Sequence, residues 1–146
     1  MSRRDAPASA GLLARLRRLW RRPAPATPAG PPRDTYCYLG DHRALVLTRR
    51  GDMMYVDTRD IGMTPHLALH GQWEPHVERA IAGLLRPRQR IVEVGANMGY
   101  HSLAMARAIG PGGVVHAFEA NPRACALLRA SLAINGVADR VVLHPL

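Results

Sequence analysis

The feature that most restricts the fold is the run Ile91-Val92-Glu93-Val94-Gly95-Ala96-Asn97-Met98-Gly99-Tyr100, a short apolar strand that turns through glycines into a helix. The helix is predicted over about Tyr100–Ile109 and breaks at Gly110-Pro111-Gly112-Gly113. A second strand, Val114–Phe118, ends in Glu119. A second helix then has Asn121 as N-cap, Pro122 at its first position, Leu127, Leu128 and Leu132 inside, and Asn135-Gly136 as its stop. A third strand is expected over about Arg140–Leu143. Strand, helix, strand, helix, strand with short connections dictates a parallel sheet with right-handed crossovers. The strands read as apolar runs, as parallel strands covered on both faces do. The fold class is α/β.

Upstream, the pattern is different. Strand-like stretches fall at Tyr36–Leu39, Arg43–Thr48 and Met53–Asp57, the last two separated by a glycine-containing loop of hairpin length. A helical pattern follows over Pro75–Leu85, with Val77, Ile81, Leu84 and Leu85 on one stripe. The chain therefore divides into a basic arm and proline-rich linker over residues 1–34, a strand, hairpin and helical extension over 35–89, and the strand–helix half-sheet over 90–146.

The arm holds most of the charge. The whole chain carries +9, all 20 basic residues being arginine; residues 1–34 hold eight arginines against Asp5 and Asp34. The rest is close to balanced, which with 5% aromatic residues argues against nucleic acid as a partner. On a helical projection Leu12, Leu13, Leu16, Leu19 and Trp20 share an arc of about 120° opposite Arg17, Arg18, Arg21 and Arg22. That pattern suits weak contact with an anionic membrane surface. A frayed tail with no partner is the preferred reading, since isolated helices of this length are marginal in water. No stretch approaches the roughly 20 apolar residues of a membrane span, so the expected location is cytoplasmic, at most peripheral to the membrane. Cys37 and Cys125 are too few for a disulfide scaffold. His66 and His70 lack a carboxylate–histidine motif, and no metal site is expected.

In parallel sheets ligands bind at the carboxyl ends of the strands. Gly95 and Gly99 sit at that end of the first strand, where glycine lets a ligand approach the backbone. Glu119 ends the neighbouring strand, placed to accept from a ribose diol. A dinucleotide fingerprint needs glycines at the first, third and sixth positions. Here the third is Asn97 and the sixth Tyr100, so a nicotinamide-linked oxidoreductase is a lesser rival. Glu93 would repel a pyrophosphate and suits an ammonium. An adenosine joined to an amino acid without phosphates describes S-adenosylmethionine.

The runs IVEVGANMGY at 91–100, AFEANP at 117–122, LAINGV at 132–137 and DIGMTPHLALHGQWE at 60–74 together resemble the FkbM family of class I methyltransferases. The resemblance spans roughly residues 52–146. It implies a Rossmann-like fold that binds S-adenosylmethionine and, usually, O-methyl transfer to a small-molecule or sugar hydroxyl. By that resemblance Glu93, Gly95, Asn97 and Gly99 form the methionine-binding loop, Glu119 holds the ribose, Asn121 lies near the adenine, and Glu74 closes the pocket. The family most often has aspartate where this chain has Glu93. His101 follows the loop and is a weak candidate for a base; no catalytic residue is named.

The class I sheet has seven strands, and residues 90–146 account for its N-terminal half. The expectation is accordingly a piece of a longer methyltransferase. Its alternatives are a non-catalytic or decayed cofactor-binding fragment, and a membrane-surface module acting through residues 1–22. The first strand would be left as an unpaired edge favouring self-association.

Overall fold

The computed structural model describes residues 36–146. The basic arm and linker over 1–34, and with them the membrane-surface reading, lie outside the described residues. Strands β1 (Tyr36–Gly40), β2 (Arg43–Leu47) and β3 (Met53–Asp57) form an antiparallel meander in that order. Register sets Ala44 against Val56 and Val46 against Met54. All four side chains are buried, so strict alternation gives this small sheet one apolar face.

Helix α1 (Met63–His70) has no counterpart among the expected elements. Its start signal is displaced. Gly62 occupies the N-cap without a side chain, and Asp60 does the capping from outside, Oδ2 accepting from the Thr64 amide at 2.6 Å and Oδ1 from the Gly62 amide at 3.2 Å. Helix α2 (Pro75–Leu84) forms as expected, and its stripe is partly covered: Ile81 and Leu85 pack half-buried against the core, while Leu84 is 74% exposed.

The second sheet contains β4 (Arg90–Val94), β5 (Val114–Glu119) and β6 (Val141–Pro145), all parallel, with Glu93 opposite Ala117 and Ala117 opposite Leu143. Strand β6 starts and ends later than the expected 140–143, because residues Ala138–Arg140 form a 3-10 turn first. Helices α3 (Tyr100–Ile109) and α4 (Pro122–Ile134) bury Leu103, Ile109 and Leu128 with Val115 and Ala117 on one face of this sheet. The opposite face shows Val92 and Val94, 68% and 82% exposed. Strand β4 pairs only with β5 among the described residues.

The two sheets share one core, with Met54 and Val56 in the same buried cluster as Leu103 and Leu128. Polar ties fix β3 to α4. Ser131 Oγ accepts from the Tyr55 amide at 3.0 Å, and the Asn135 side chain both accepts from the Met53 amide and donates to its carbonyl. The β3 edge of the meander is thus occupied by helix side chains and is not open to another strand at Met53 and Tyr55. Among the described residues no helix is long and apolar enough to cross a membrane.

Candidate functional site

The glycine loop is shaped by backbone geometry that few residues tolerate. Gly95, Asn97 and Gly99 all have positive φ, at 77°, 50° and 95°. The Gly95 and Ala96 amides both donate to the Phe118 carbonyl, at 2.9 and 3.0 Å, which holds the loop over the end of β5. Glu119 completes the tie. Its Oε2 accepts from the Asn97 amide at 2.7 Å and its Oε1 from the Asn121 amide at 2.8 Å. An ionised carboxylate has about four acceptor positions, so each oxygen retains capacity for a ribose hydroxyl.

The two glycines serve different ends. A Cβ on Gly95 would project into open space, so a second group can lie against the backbone there. A Cβ on Gly99 would run into Leu128 Cδ1 at a φ of 95°, so both packing of α3 on α4 and backbone conformation favour glycine there. Asn121 is the N-cap of α4, its side chain accepting from the Arg123 and Ala124 amides.

Glu93 points to the helix side of the sheet, and Ser102 Oγ donates to its Oε2 at 2.5 Å. Burial pushes its carboxyl up to about 7, only partly opposed by that hydrogen bond. Glu74 precedes Pro75 with φ of 43°, a left-handed conformation that a non-glycine residue before proline rarely adopts. The carboxylate it presents lies 3.7 Å from His101 Nε2, too long for a hydrogen bond. Both ring nitrogens of His101 are buried without a hydrogen-bond partner among the described residues. Burial holds the imidazole below its ordinary range, against the opposing pull of Glu74.

The residues expected to share one site line three cavities. Glu93 and Gly95 line one of about 420 Å³ with His101, Met105 and Ile91. Asn97 and Asn121 line another of about 380 Å³ with Asp57, Asp60 and Arg123. Glu74 lines a third with Trp73, His66 and Arg49. Glu119 lines neither of the first two, and its bond from the Asn97 amide ties the loop that contributes Gly95 to one and Asn97 to the other.

Two clusters escaped the sequence reading. Arg59 and Arg123 both bond Asp57, whose carboxyl is held well below the usual range chiefly by Arg59. Arg50 reaches from the β2–β3 loop to Glu78 Oε1 at 2.6 Å and stacks 4.2 Å from the centre of the Tyr100 ring, while Tyr100 Oη donates to Glu78 Oε2 at 2.8 Å. Burial raises Glu78, and its bonds to Arg50, Tyr100 and Gln72 outweigh that and hold it low. Partners 50 or 66 positions apart leave no local pattern to find. Among the described residues no group of three histidine, cysteine or acidic side chains is arranged to hold a metal.

A glycine loop at the carboxyl end of the first parallel strand, tied to an acid at the end of the second, defines the Rossmann-like fold of the class I S-adenosylmethionine-dependent methyltransferases. No family model matches the chain. The chain is similar to the tRNA wybutosine-synthesizing protein 2 homologues of Rattus norvegicus and Homo sapiens, 32% identical over an alignment 120 residues long, with 67% of this chain covered. It spans about a quarter of those relatives, 27% and 26%. Among solved structures it resembles P. horikoshii TYW2 in complex with MeSAdo (TM-score 0.55, 21% identity, 75% of this chain and 38% of that one). M. jannaschii TYW2 in complex with AdoMet is similar to the same degree (TM-score 0.55, 19% identity, 75% of this chain and 45% of that one). At these identities the structures establish the fold.

Proposed function

We propose that the chain binds S-adenosylmethionine over the Gly95–Gly99 loop and serves O-methyl transfer to a small-molecule or sugar hydroxyl, as an FkbM-like methyltransferase. The observation that carries the reading is the loop itself, with Glu93 before it, open space over Gly95, and Glu119 tying it to the next strand. Glu119 and Asn121 would hold the adenosine, and Glu93 the amino-acid end. The cofactor, when bound, supplies a methyl group activated on a sulfonium. The contribution of this chain is to bind and orient, which is where positional catalysis arises. The residues fit: the half-buried Glu93 carboxyl, held at one oxygen by Ser102, lines the same cavity as Gly95, where a Cβ would meet open space. Equilibrium dialysis with labelled S-adenosylmethionine tests the reading. Saturable binding that NAD does not displace is expected; displacement by NAD would favour the dinucleotide rival.

A second reading follows from the relatives' names: the acceptor is a tRNA base, contrary to the absence of nucleic acid expected from composition. Incubation with S-adenosylmethionine labelled separately in its methyl and its amino-acid carbons, with tRNA or with sugar acceptors, separates the two. Label carried into tRNA favours the second reading, and the position of the label identifies the group transferred.

A further inference from the structure

The cavity between α1 and the start of α2 has no task in the cofactor reading. It measures about 420 Å³ and is lined by Arg49, His66, His70, Gln72, Trp73 and Glu74. Its flat surfaces are aromatic. Trp73 and His66 stand with ring centroids 5.3 Å apart, and His66 and His70 with theirs 6.1 Å apart. Trp73 packs half-buried against the core and gives the cavity the rest of its indole. Two charges of opposite sign border the same space. Arg49 donates from Nε to the His70 carbonyl at 2.9 Å and from its amide to the Gly71 carbonyl at 2.7 Å, which fixes the guanidinium and leaves both Nη groups without a partner among the described residues. Glu74 is set by its left-handed backbone, φ 43°, locked before Pro75, and its carboxylate makes no hydrogen bond among the described residues. Backbone strain of this kind clusters at binding sites.

We infer that this cavity binds a guanine base, stacked on Trp73 and held by its two polar edges between Glu74 and Arg49. Guanine is the base that matches both charges at once. Its N1–H and N2 amino group form a row of donors for one carboxylate, and its O6 and N7 form a row of acceptors for one guanidinium. Adenine has no such pair of donors and carries an amino group where guanine has O6. Cytosine and uracil have no N7 edge. A simple anion would be repelled by Glu74 and a simple cation by Arg49, so neither fits the pair. Stacking on an aromatic side chain and reading of both edges is how an unpaired base is recognised. The low aromatic content that argues against a platform for nucleic acid does not bear on a single base, which needs one indole. That this base is the acceptor rests on the second reading above. Glu74 links it to the glycine loop, since its carboxylate neighbours His101 and His101 lines the cavity over Gly95.

The test uses the full chain as Trp20→Phe, which leaves Trp73 as its one indole. Calorimetry and Trp73 fluorescence follow titration with GMP, IMP, AMP, CMP and UMP, which share a ribose phosphate and differ in the base. GMP is expected to quench saturably and to bind roughly tenfold tighter than AMP, CMP or UMP, the scale of one bidentate contact. IMP, which lacks the N2 amino group, should fall between. Glu74→Gln should erase the preference for GMP over IMP, because its one amide oxygen serves a single donor. Arg49→Lys keeps the charge and loses the fork, so it should weaken GMP and IMP alike and leave AMP unchanged. Equal affinity for all the nucleotides, an unchanged GMP preference in Glu74→Gln, or no binding by a chain whose circular dichroism shows it folded overturns the inference. A short single-stranded RNA carrying one guanine identifies the source: binding tighter than GMP assigns the base to RNA, equal or weaker binding to a free nucleotide, and both uphold the cavity. Dialysis with labelled S-adenosylmethionine keeps the readings apart. Cofactor bound without GMP strikes this inference alone; GMP bound without cofactor upholds it and strikes the cofactor reading.

Discussion

Ser102 Oγ donates a 2.5 Å hydrogen bond to Glu93 Oε2 across the gap between α3 and β4, so the acid before the glycine loop is held from the core side rather than from solvent. Its carboxyl, pushed up by burial to about 7, is mostly protonated in the fold at weakly acidic pH. The unfolded chain has an ordinary carboxylate. Because the folded value is the higher, the stabilising preference for the neutral form is fully present below the unfolded value near 4.5 and is lost as pH rises through 7. The shift corresponds to about 3 kcal/mol. Urea unfolding at pH 5 and pH 8 should show this loss for wild type. Glu93→Gln should be nearly flat over that range; a wild type equally flat would mean that Glu93 ionises normally.

Glu119 joins two loops by accepting from both Asn97 and Asn121. Glu119→Ala frees two amides and removes the ribose acceptor together, so loss of cofactor binding and a destabilisation of about 1–3 kcal/mol are both expected. Glu119→Gln separates them, since its one carbonyl oxygen can keep a single amide. The expected outcome is a fold with thermal stability near wild type and at least tenfold weaker binding of S-adenosylmethionine in dialysis. Equal binding by Glu119→Gln and wild type would remove Glu119 from the site.

The parallel half of the fold was readable because each element carries its own punctuation. Pro122 and Asn121 start α4, Asn135-Gly136 ends it, and the Gly95–Gly99 turn separates β4 from α3. Helix α1 was not readable, since its cap comes from Asp60, outside the N-cap position. The single binding site expected from Glu93, Asn97, Glu119 and Asn121 was legible as a loop and not as a cavity arrangement. Which side chains share a cavity depends on side-chain direction and on contacts such as Arg123 with Asp57, set 66 positions apart.

Gly95 and Gly99 should respond in opposite ways. Gly99→Ala drives a methyl into Leu128 Cδ1 at a φ of 95°, and a loss of about 2–4 kcal/mol is expected from overpacking and backbone strain together. Leu128→Ala in the same chain should recover part of it, as contacting residues are not additive. A Cβ at position 95 meets no neighbour, so backbone strain of about 1–2 kcal/mol is the main cost expected of Gly95→Val. What it should abolish is binding, because the side chain fills the open space over the loop. Retained cofactor binding by a folded Gly95→Val would place the ligand elsewhere.

Asp52 has no exposed surface and sits between two arginines: Arg107 Nε bonds its Oδ1, and Arg50 Nε lies 3.4 Å from its Oδ2. The same Arg50 reaches Glu78 and the Tyr100 carbonyl, so this one acid anchors the β2–β3 loop to α3 and, through Arg50, to α2. Breaking a buried ion pair from one side leaves charge unmatched and costs about 3–5 kcal/mol. Asp52→Ala should therefore be among the most destabilising substitutions in the chain, although Asp52 touches none of the cofactor residues. Arg107→Ala should cost less, since Arg107 is 45% exposed and the freed carboxylate still has Arg50. Because Arg50 stacks on Tyr100 at the head of α3, a folded Asp52→Asn should also loosen the start of that helix. Hydrogen exchange at the amides of 103–105 reads this directly: faster exchange there than at 126–130 of α4 is expected, and uniform exchange would confine the role of Asp52 to the β2–β3 loop.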